Sequence, residues 1–421
     1  MRVLWITNIV FPEADAIITG NTEFKTSGGW LLGMLESIKK YSDFELFTAT
    51  VSSSVQKLVT IKVDSITHYI FPRSRKHYKY VKRYEEFWRL IINDCQPDIV
   101  HIWGTENVQA LPCVRLFPSL KYVVNIQGLM SEICYHYLDG LTIKEILSSV
   151  TLRDILRTGM LREERRLKKR GECEIEVLKS VGHIVGRTSW DRAVVLAINP
   201  KAKYYVGNET LRSPFYSGRW EYKKCIPHTI FLSQIAHPFK GFHQLLKALP
   251  ILLSDYPDLQ VRIAGPDVMK MDCDWRKKIR LNGYGNLLRK KVKHLNLRDK
   301  LVILNTLNAE EIKKELLKSN VFVSCSSIDN SPNSLGEAQM LGVPCVASYV
   351  GGVPDMVPND QCGLLYRFED YQMLAFHIKK IFEEAPLFDN SVMREVAESR
   401  HNAERNSSQL LELYHNIVKI P

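Results

Sequence analysis

Nowhere in the 421 residues does an apolar run approach the ~20 positions that a membrane-spanning helix needs, so a soluble or peripheral protein is expected. The nine cysteines include no Cys-x-x-Cys pair, which argues against a zinc cluster and a thioredoxin-like redox site. Their count is odd, and buried free thiols in a reducing cytoplasm are the simplest fit. No repeat recurs at the periods of solenoids, and no segment is of low complexity. The opening MRVLWITNIVFPEADA has no small-residue cleavage site and soon meets Pro12, Glu13 and Asp15, so it reads as a first strand and not as a signal peptide. Acidic side chains are in short supply: 46 against 57 basic ones, a net charge of +11. Such an excess points to an anionic partner, whether a nucleotide pyrophosphate, a lipid headgroup or a nucleic acid, and does not choose among them.

What is present is ordinary for a globular protein, with 45% hydrophobic, 10% aromatic and 24% charged residues. The length suggests two or three domains. Short β-prone runs at Arg2 to Thr7, Asp43 to Thr50, Ile66 to Phe71, Pro97 to Trp103, Lys121 to Gln127 and Val181 to Gly186 alternate with helical segments. That alternation predicts an α/β fold with a doubly wound parallel sheet. A turn-rich link near Tyr204 to Tyr222 separates this half from a second one, whose strands start at Thr229, Val261, Leu301, Val321, Pro344 and Gly363.

The most informative stretch is Val321 to Val357, VFVSCSSIDNSPNSLGEAQMLGVPCVASYVGGVPDMV, two βα units back to back. Ligands of open parallel sheets bind where the carboxyl ends of strands meet helix N-termini. A helix starting near Ser334 would aim free backbone N–H groups and its positive end at whatever the loop encloses, which suits a pyrophosphate. Carboxylates beside it, Asp329 and Glu337, can accept hydrogen bonds from sugar or ribose hydroxyls. The alternative is a capping box in which Glu337 merely bonds back to the Ser334 amide.

Other candidates are weaker one by one. Gly28-Gly29 before the first helix would let amides approach a ligand closely, or simply make a tight turn. Lys240-Gly241 opens a helix with a cation at its positive end, easier to understand with an anion opposite, although a surface lysine is the alternative. Arg187 at a strand edge is a candidate anion contact, with Thr188-x-x-Asp191 behind it as a helix cap. His101 reads as a core or rim residue. Asp272-Cys273-Asp274 has the form of a metal site, but acids at a helix start are expected for capping and the neighbouring basic residues would compete with a metal. Leu141 to Arg170 is helical, basic and apolar, either a membrane-surface helix or a solvated face over a core stripe. Arg73 to Arg83, with His77, Tyr78 and Tyr80, is the one place where nucleic-acid binding gains footing.

Taken in order, the glycine pair, Lys240-Gly241, Asp329 and Glu337 around NSPNSLG, and Gly351-Gly352 resemble the retaining glycosyltransferases of glycosyltransferase family 4, over almost the whole length. Their carboxylate pair is written E-x7-E, and Asp329 stands here for the first glutamate. The resemblance implies the GT-B architecture, two Rossmann-like doubly wound domains facing a central cleft. Residues 1–207 would form the acceptor-side domain, residues 208–399 the nucleotide-sugar domain, and residues 400–421 a helix packing back onto the first. It implies transfer of a sugar from a nucleoside diphosphate sugar to a saccharide or lipid-linked hydroxyl acceptor, with retention and without a metal or other cofactor, in synthesis of bacterial surface polysaccharide or glycolipid. Lys240 would bind the donor phosphates, Glu337 the ribose, and Asp329 and Gln127 the donor sugar. Gln127 stands where many members have a histidine, so position is carried over and acid/base chemistry is not. Gly28, Gly29, Arg187, Asn333, Ser334 and Leu335 would surround the donor, and Asn305-Thr306 its base. The expected place is the cytoplasm, with peripheral contact at the inner face of an anionic membrane. A nucleotide-sugar epimerase, a phosphorylase or a catalytically impaired nucleotide-sugar binder on the same fold would look similar; a nucleic-acid protein would instead show salt-dependent oligonucleotide binding.

Overall fold

The β-branched and aromatic runs become strands because each can bury alternate side chains on the two faces of a sheet. The computed structural model describes residues 1–20, 29–41, 44–271 and 280–419, and those residues form two compact units. One comprises Met1–Cys134, Arg166–Thr210 and His401–Pro421; the other comprises Tyr135–Arg165 and Leu211–Arg400.

The first unit is built on eight strands: β1 (Arg2–Ile6), β2 (Glu45–Ser52), β3 (Val59–Val63), β4 (Ile66–Pro72), β5 (Ile99–Trp103), β6 (Tyr122–Asn125), β7 (His183–Gly186) and β8 (Lys203–Val206). Their order is β3-β4-β2-β1-β5-β6-β7-β8, parallel throughout except for the β3–β4 hairpin. The strand order reverses between β1 and β5, which makes that junction the switch point of the sheet. Along β1, Leu4 and Ile6 enter one core and Val3 and Trp5 the other. The helix Ala403–Val418 contributes Leu410, Leu411, Leu413, Tyr414 and Ile417 to the second of these cores. Trp5 Nε1 donates to the Tyr414 hydroxyl at 3.0 Å, and that hydroxyl also meets His101 Nδ1 at 2.5 Å. His101 is fully buried and stacked on Trp103; burial lowers its pKa to about 3, so it is a neutral core residue.

The second unit has six strands, all parallel: β9 (Thr229–Leu232), β10 (Gln260–Ile263), β11 (Leu301–Ile303), β12 (Val321–Ser324), β13 (Cys345–Ser348) and β14 (Leu364–Tyr366), in the order β11-β10-β9-β12-β13-β14. Here the switch point lies between β9 and β12. Residues 135–165, which chain order assigns to the N-terminal half, belong to this unit. Ile146 and Met160 join the core around Tyr284, Leu287 and Leu288. Glu145 pairs with Lys291, Thr151 Oγ1 donates to the Leu281 carbonyl at 2.9 Å, and Asn286 Nδ2 donates to the Ser149 carbonyl at 3.0 Å. The sequence pattern does not mark the strands β3 and β8, and most of β8 falls in the turn-rich segment Tyr204 to Tyr222. Both are edge strands whose residues are only partly buried, so neither carries an apolar run.

Candidate functional site

At the switch point of the second unit, the chain leaves β9 and makes a short 3-10 turn, Pro238–Lys240, before Gly241 and the helix Phe242–Leu253. Gly241 has φ +70°, and a Cβ there would lie 1.6 Å from the Cys325 carbonyl oxygen, so no other residue fits without moving the start of the loop after β12. The loops after β9 and β12 are joined further by Ser327 N–H donating to the Phe239 carbonyl at 2.8 Å. This close seam brings Lys240 to Asp329: Nζ lies 2.7 Å from Oδ2, with the side chains 22% and 17% exposed. Asp329 Oδ2 also accepts from Ser326 Oγ at 3.2 Å. Behind it, Gly351 at φ +48° lets its backbone pass where a Cβ would stand 2.1 Å from the Asp329 carbonyl oxygen, and Gly352 N–H donates to that oxygen at 3.0 Å. The Gly-Gly pair thus fixes the height of the Asp329 loop. Lys240, Asp329 and Ser334 line one small pocket with Ser233, Gln234 and Ser326. The anion that stands opposite Lys240 is Asp329.

The helix that follows β12 runs from Asn333 to Leu341 with Pro332 before it, and no side chain caps its start. The amides of Leu335 and Gly336 turn back to the Pro332 carbonyl, and Asn333 Oδ1 is buried without a hydrogen-bond partner among the described residues. Asn333 and Ser334 are half-buried, Leu335 wholly buried. Glu337 does not close a capping box with Ser334. Its two carboxylate oxygens take Arg212 Nε and Nη2, each at 2.8 Å, and the Arg212 guanidinium also covers the Phe215 ring. Glu337 is 4% exposed; burial pushes its pKa up to about 7, and Arg212 works against that rise. Arg212 lies in the turn-rich segment between the two halves, where no motif marks it. Asn305 and Thr306 are exposed beyond β11; Asn305 is left-handed at φ 59° and its carbonyl accepts from Gly265 N–H at 2.7 Å.

In the first unit, Gln127 is half-buried at the end of β6, with Nε2 donating to Asn125 Oδ1 at 3.1 Å. Arg187 is not displayed to solvent as an anion contact would be: its side chain is 3% exposed, and Nη1 lies 2.7 Å from Glu209. Through Nη2 it donates to the Ile126 and Gln127 carbonyls and to Gln127 Oε1, at 2.8, 3.0 and 3.2 Å. Its observed work is therefore to hold the Gln127 loop. Thr188 caps the next helix by accepting from Asp191 N–H at 3.1 Å. At the β1/β5 switch point Asn8 Nδ2 donates to Glu106 Oε2 at 2.7 Å, and Glu106 Oε1 accepts from Gly128 N–H at 3.1 Å. Burial raises the Glu106 pKa. This pair was not picked out from the sequence, because Asn8 and Glu106 become neighbours only when β1 and β5 pair.

Gly29 is the first residue of the helix Gly29–Ile38, whereas Gly28 and the Asp272-Cys273-Asp274 run lie outside the described residues. Among the described residues no three His, Cys, Asp or Glu side chains group as a metal-ligand set, and no helix is long and apolar enough to cross a membrane. The aromatic residues of the Arg73 to Arg83 run are engaged within the unit, Tyr80 beneath Arg115 and Tyr78 beneath Arg166.

Comparison with known structures agrees on architecture. The chain superposes over 99% of its length on sucrose-phosphate synthase from Thermosynechococcus elongatus, covering 98% of that chain with a TM-score of 0.70 at 14% identity. It covers 100% of Anabaena HepE in complex with UDP and glucose, using 99% of its own residues, with a TM-score of 0.67 at 12% identity. The fold is GT-B. Residues 225–407 match the family described as glycosyl transferases group 1. In sequence, spore coat protein SA of Bacillus subtilis is 27% identical over 42% of this chain and 45% of its own. D-inositol 3-phosphate glycosyltransferase of Corynebacterium urealyticum is 26% identical over 43% of this chain and 41% of its own. The chain therefore spans less than half the length of these curated relatives.

Proposed function

We propose that this protein is a retaining glycosyltransferase of family 4 type, moving a sugar from a nucleoside diphosphate sugar to a hydroxyl acceptor on a saccharide or a lipid-linked glycan. The observation that carries the reading is the pocket at the β9/β12 switch point, where Lys240, Asp329 and the start of the Asn333–Leu341 helix meet. The donor diphosphate would replace Asp329 against the Lys240 ammonium, with the helix amides adding partial positive charge. Asp329, once displaced, becomes an acceptor for hydroxyls of the donor sugar. The charge that grows on the leaving diphosphate is met by groups already in place, which lowers the barrier without reorganisation. Retention is read as a same-face displacement in which the acceptor proton passes to the leaving phosphate, a route that needs no enzyme nucleophile.

Glu337 has its two oxygens on Arg212, but each keeps a further lone pair that can accept from a ribose hydroxyl. The match of residues 225–407 to group 1 glycosyl transferases supports the assignment of the donor site to this unit. HepE, a structural neighbour, has been captured with UDP and glucose, and that supports a nucleoside diphosphate as ligand. The test is a thermal-shift panel of UDP, GDP and ADP with their sugars, since a ligand that binds only the folded state raises the apparent Tm. One nucleotide should raise it in the wild type and not in Lys240→Ala. If none does so, or the variant responds equally, the reading fails.

A further inference from the structure

Residues 143–161 carry an apolar surface that the donor site does not use. Three helical pieces, Ile143–Ser148, Leu152–Leu156 and the start of Met160–Ser180, turn Ile146, Asp154 and Met160 inward onto the second unit. On the other side stand Ile143 and Leu147, then Leu152, Ile155 and Leu156, then Leu161, between 41 and 76% exposed. Their spacing of three and four residues sets them on the outward faces of the first two helices. Scattered exposed leucines need no explanation, but seven large aliphatic side chains within 19 residues, Val150 included, form a concentrated apolar surface.

The charges around it are of one sign. Lys144, Arg157, Arg162 and Arg165 are exposed within the same stretch, and Arg162 Nη1 donates to the Ile155 carbonyl at 3.1 Å, which holds its guanidinium beside the apolar side chains. The neighbouring helix Gly283–His294 adds Arg289, Lys290, Lys291 and Lys293 without a single acid, and Lys290 Nζ reaches the Ser148 carbonyl at 2.6 Å. Of the acids between 143 and 165, Glu145 is paired with Lys291, Asp154 is buried, and Glu163 and Glu164 are half-buried on the long helix. Apolar side chains beside a surplus of exposed cations match a surface that is apolar below and anionic above, which describes a bilayer with acidic headgroups.

We propose that the outward side of Ile143–Leu161 docks on an anionic lipid bilayer, with Leu152, Ile155 and Leu156 entering the headgroup region and Lys144, Arg157, Arg162 and Lys290 on the phosphates. The proposal is independent of the donor-site reading, because neither Lys240 nor Glu337 takes part.

The experiment is co-sedimentation of the full chain with vesicles of phosphatidylcholine alone or mixed with phosphatidylglycerol. The wild type should pellet with the mixed vesicles and lose that binding in high salt. Ile155→Ser with Leu156→Ser should weaken it ~10-fold, and Arg157→Gln with Lys290→Gln about fivefold for each charge removed. All four positions are exposed, so the variants should keep the wild-type Tm. Hydrogen exchange on the wild type supplies a second readout, with slowed exchange at 143–161 in the presence of mixed vesicles only. Equal pelleting of the wild type and the Ile155/Leu156 variant would overturn the proposal. So would a dimer in light scattering that the same double variant disperses while vesicle binding stays at background.

Discussion

Lys240 Nζ sits 2.7 Å from Asp329 Oδ2, an ion pair that bridges the two loops at the switch point of the second unit. An anionic ligand of Lys240 comes close to that carboxylate, and the two negative charges repel. Asp329→Asn should therefore raise the affinity for a nucleoside diphosphate, by about 1 kcal/mol or fivefold for a partly exposed pair, while slowing sugar transfer. Lys240→Ala should act oppositely and weaken nucleotide binding by about 1.5–3 kcal/mol, the usual worth of hydrogen bonds to charged groups. Calorimetry on both variants decides; weaker binding in Asp329→Asn would mean that the pair is a scaffold and not a competitor.

Arg212 and Glu337 make the complementary case, a buried pair whose loss should be felt in stability. Removing one partner of such a pair commonly costs ~3–5 kcal/mol, because the other charge is left uncompensated. Glu337 has its pKa raised to about 7 by burial, against the pull of Arg212. A carboxyl with a raised folded value contributes stability that is present below its ordinary range and is lost as pH rises through the folded value. In Arg212→Ala the opposing pull is gone, so the loss should extend to higher pH. The Tm gap between wild type and Arg212→Ala is expected to be wide at pH 8 and to narrow toward pH 5. A gap that stays constant would show that Glu337 does not change protonation.

Much of the fold is legible in the sequence, and the reasons are local. Twelve strands announce themselves because each is a short apolar or β-branched run bounded by turn residues. Lys240-Gly241 stands out because a cation opens a helix, and Gly351-Gly352 because two glycines end an apolar run. Arg212, Asn8 and Glu106 were missed because their partners lie 125 residues away for Arg212 and 98 for the other two, and nothing near them in sequence changes when the contact forms. The partner of Arg187 is hidden for the same reason: Glu209, which balances its charge, lies beyond the strand β8 that no apolar run marks. The capping-box alternative for Glu337 was sound local chemistry that a tertiary ion pair displaced.

The two glycine contacts at Asp329 and Cys325 give a test that substitutes no charged group. Gly351→Ala should displace the Asp329 carbonyl, since its Cβ would stand 2.1 Å from that oxygen, and Gly241→Ala should push on the Cys325 carbonyl more severely still. Both positions also have positive φ, at which alanine is strained by ~1–2 kcal/mol before any clash. Nucleotide affinity is expected to fall in Gly351→Ala with only a modest drop in Tm, whereas Gly241→Ala should lower both. Chemical denaturation alongside calorimetry separates the two, and an unchanged affinity in Gly351→Ala would remove the Asp329 loop from the donor site.

The attachment of residues 135–165 to the second unit rests partly on a carboxylate, and so it should respond to acid. Glu145 caps the helix Ile143–Ser148 through the Thr142 amide and pairs with Lys291. Burial pushes its pKa up, but the Lys291 ammonium and the two bonds from Thr142 outweigh burial and hold the carboxyl down at about 2. A depressed folded value means that the carboxylate contributes stability above its ordinary range, and that this is lost as pH falls from about 4.5 to about 2. Protection factors for amides 143–156, corrected for the intrinsic exchange rate, should be constant from pH 7 to pH 5 and fall below that. Lys291→Ala should lower the same amides at pH 7 and leave the core strands β9 and β12 protected. If acid and the substitution both leave this stretch unaffected, the apolar contacts of Ile146 and Met160 hold it unaided.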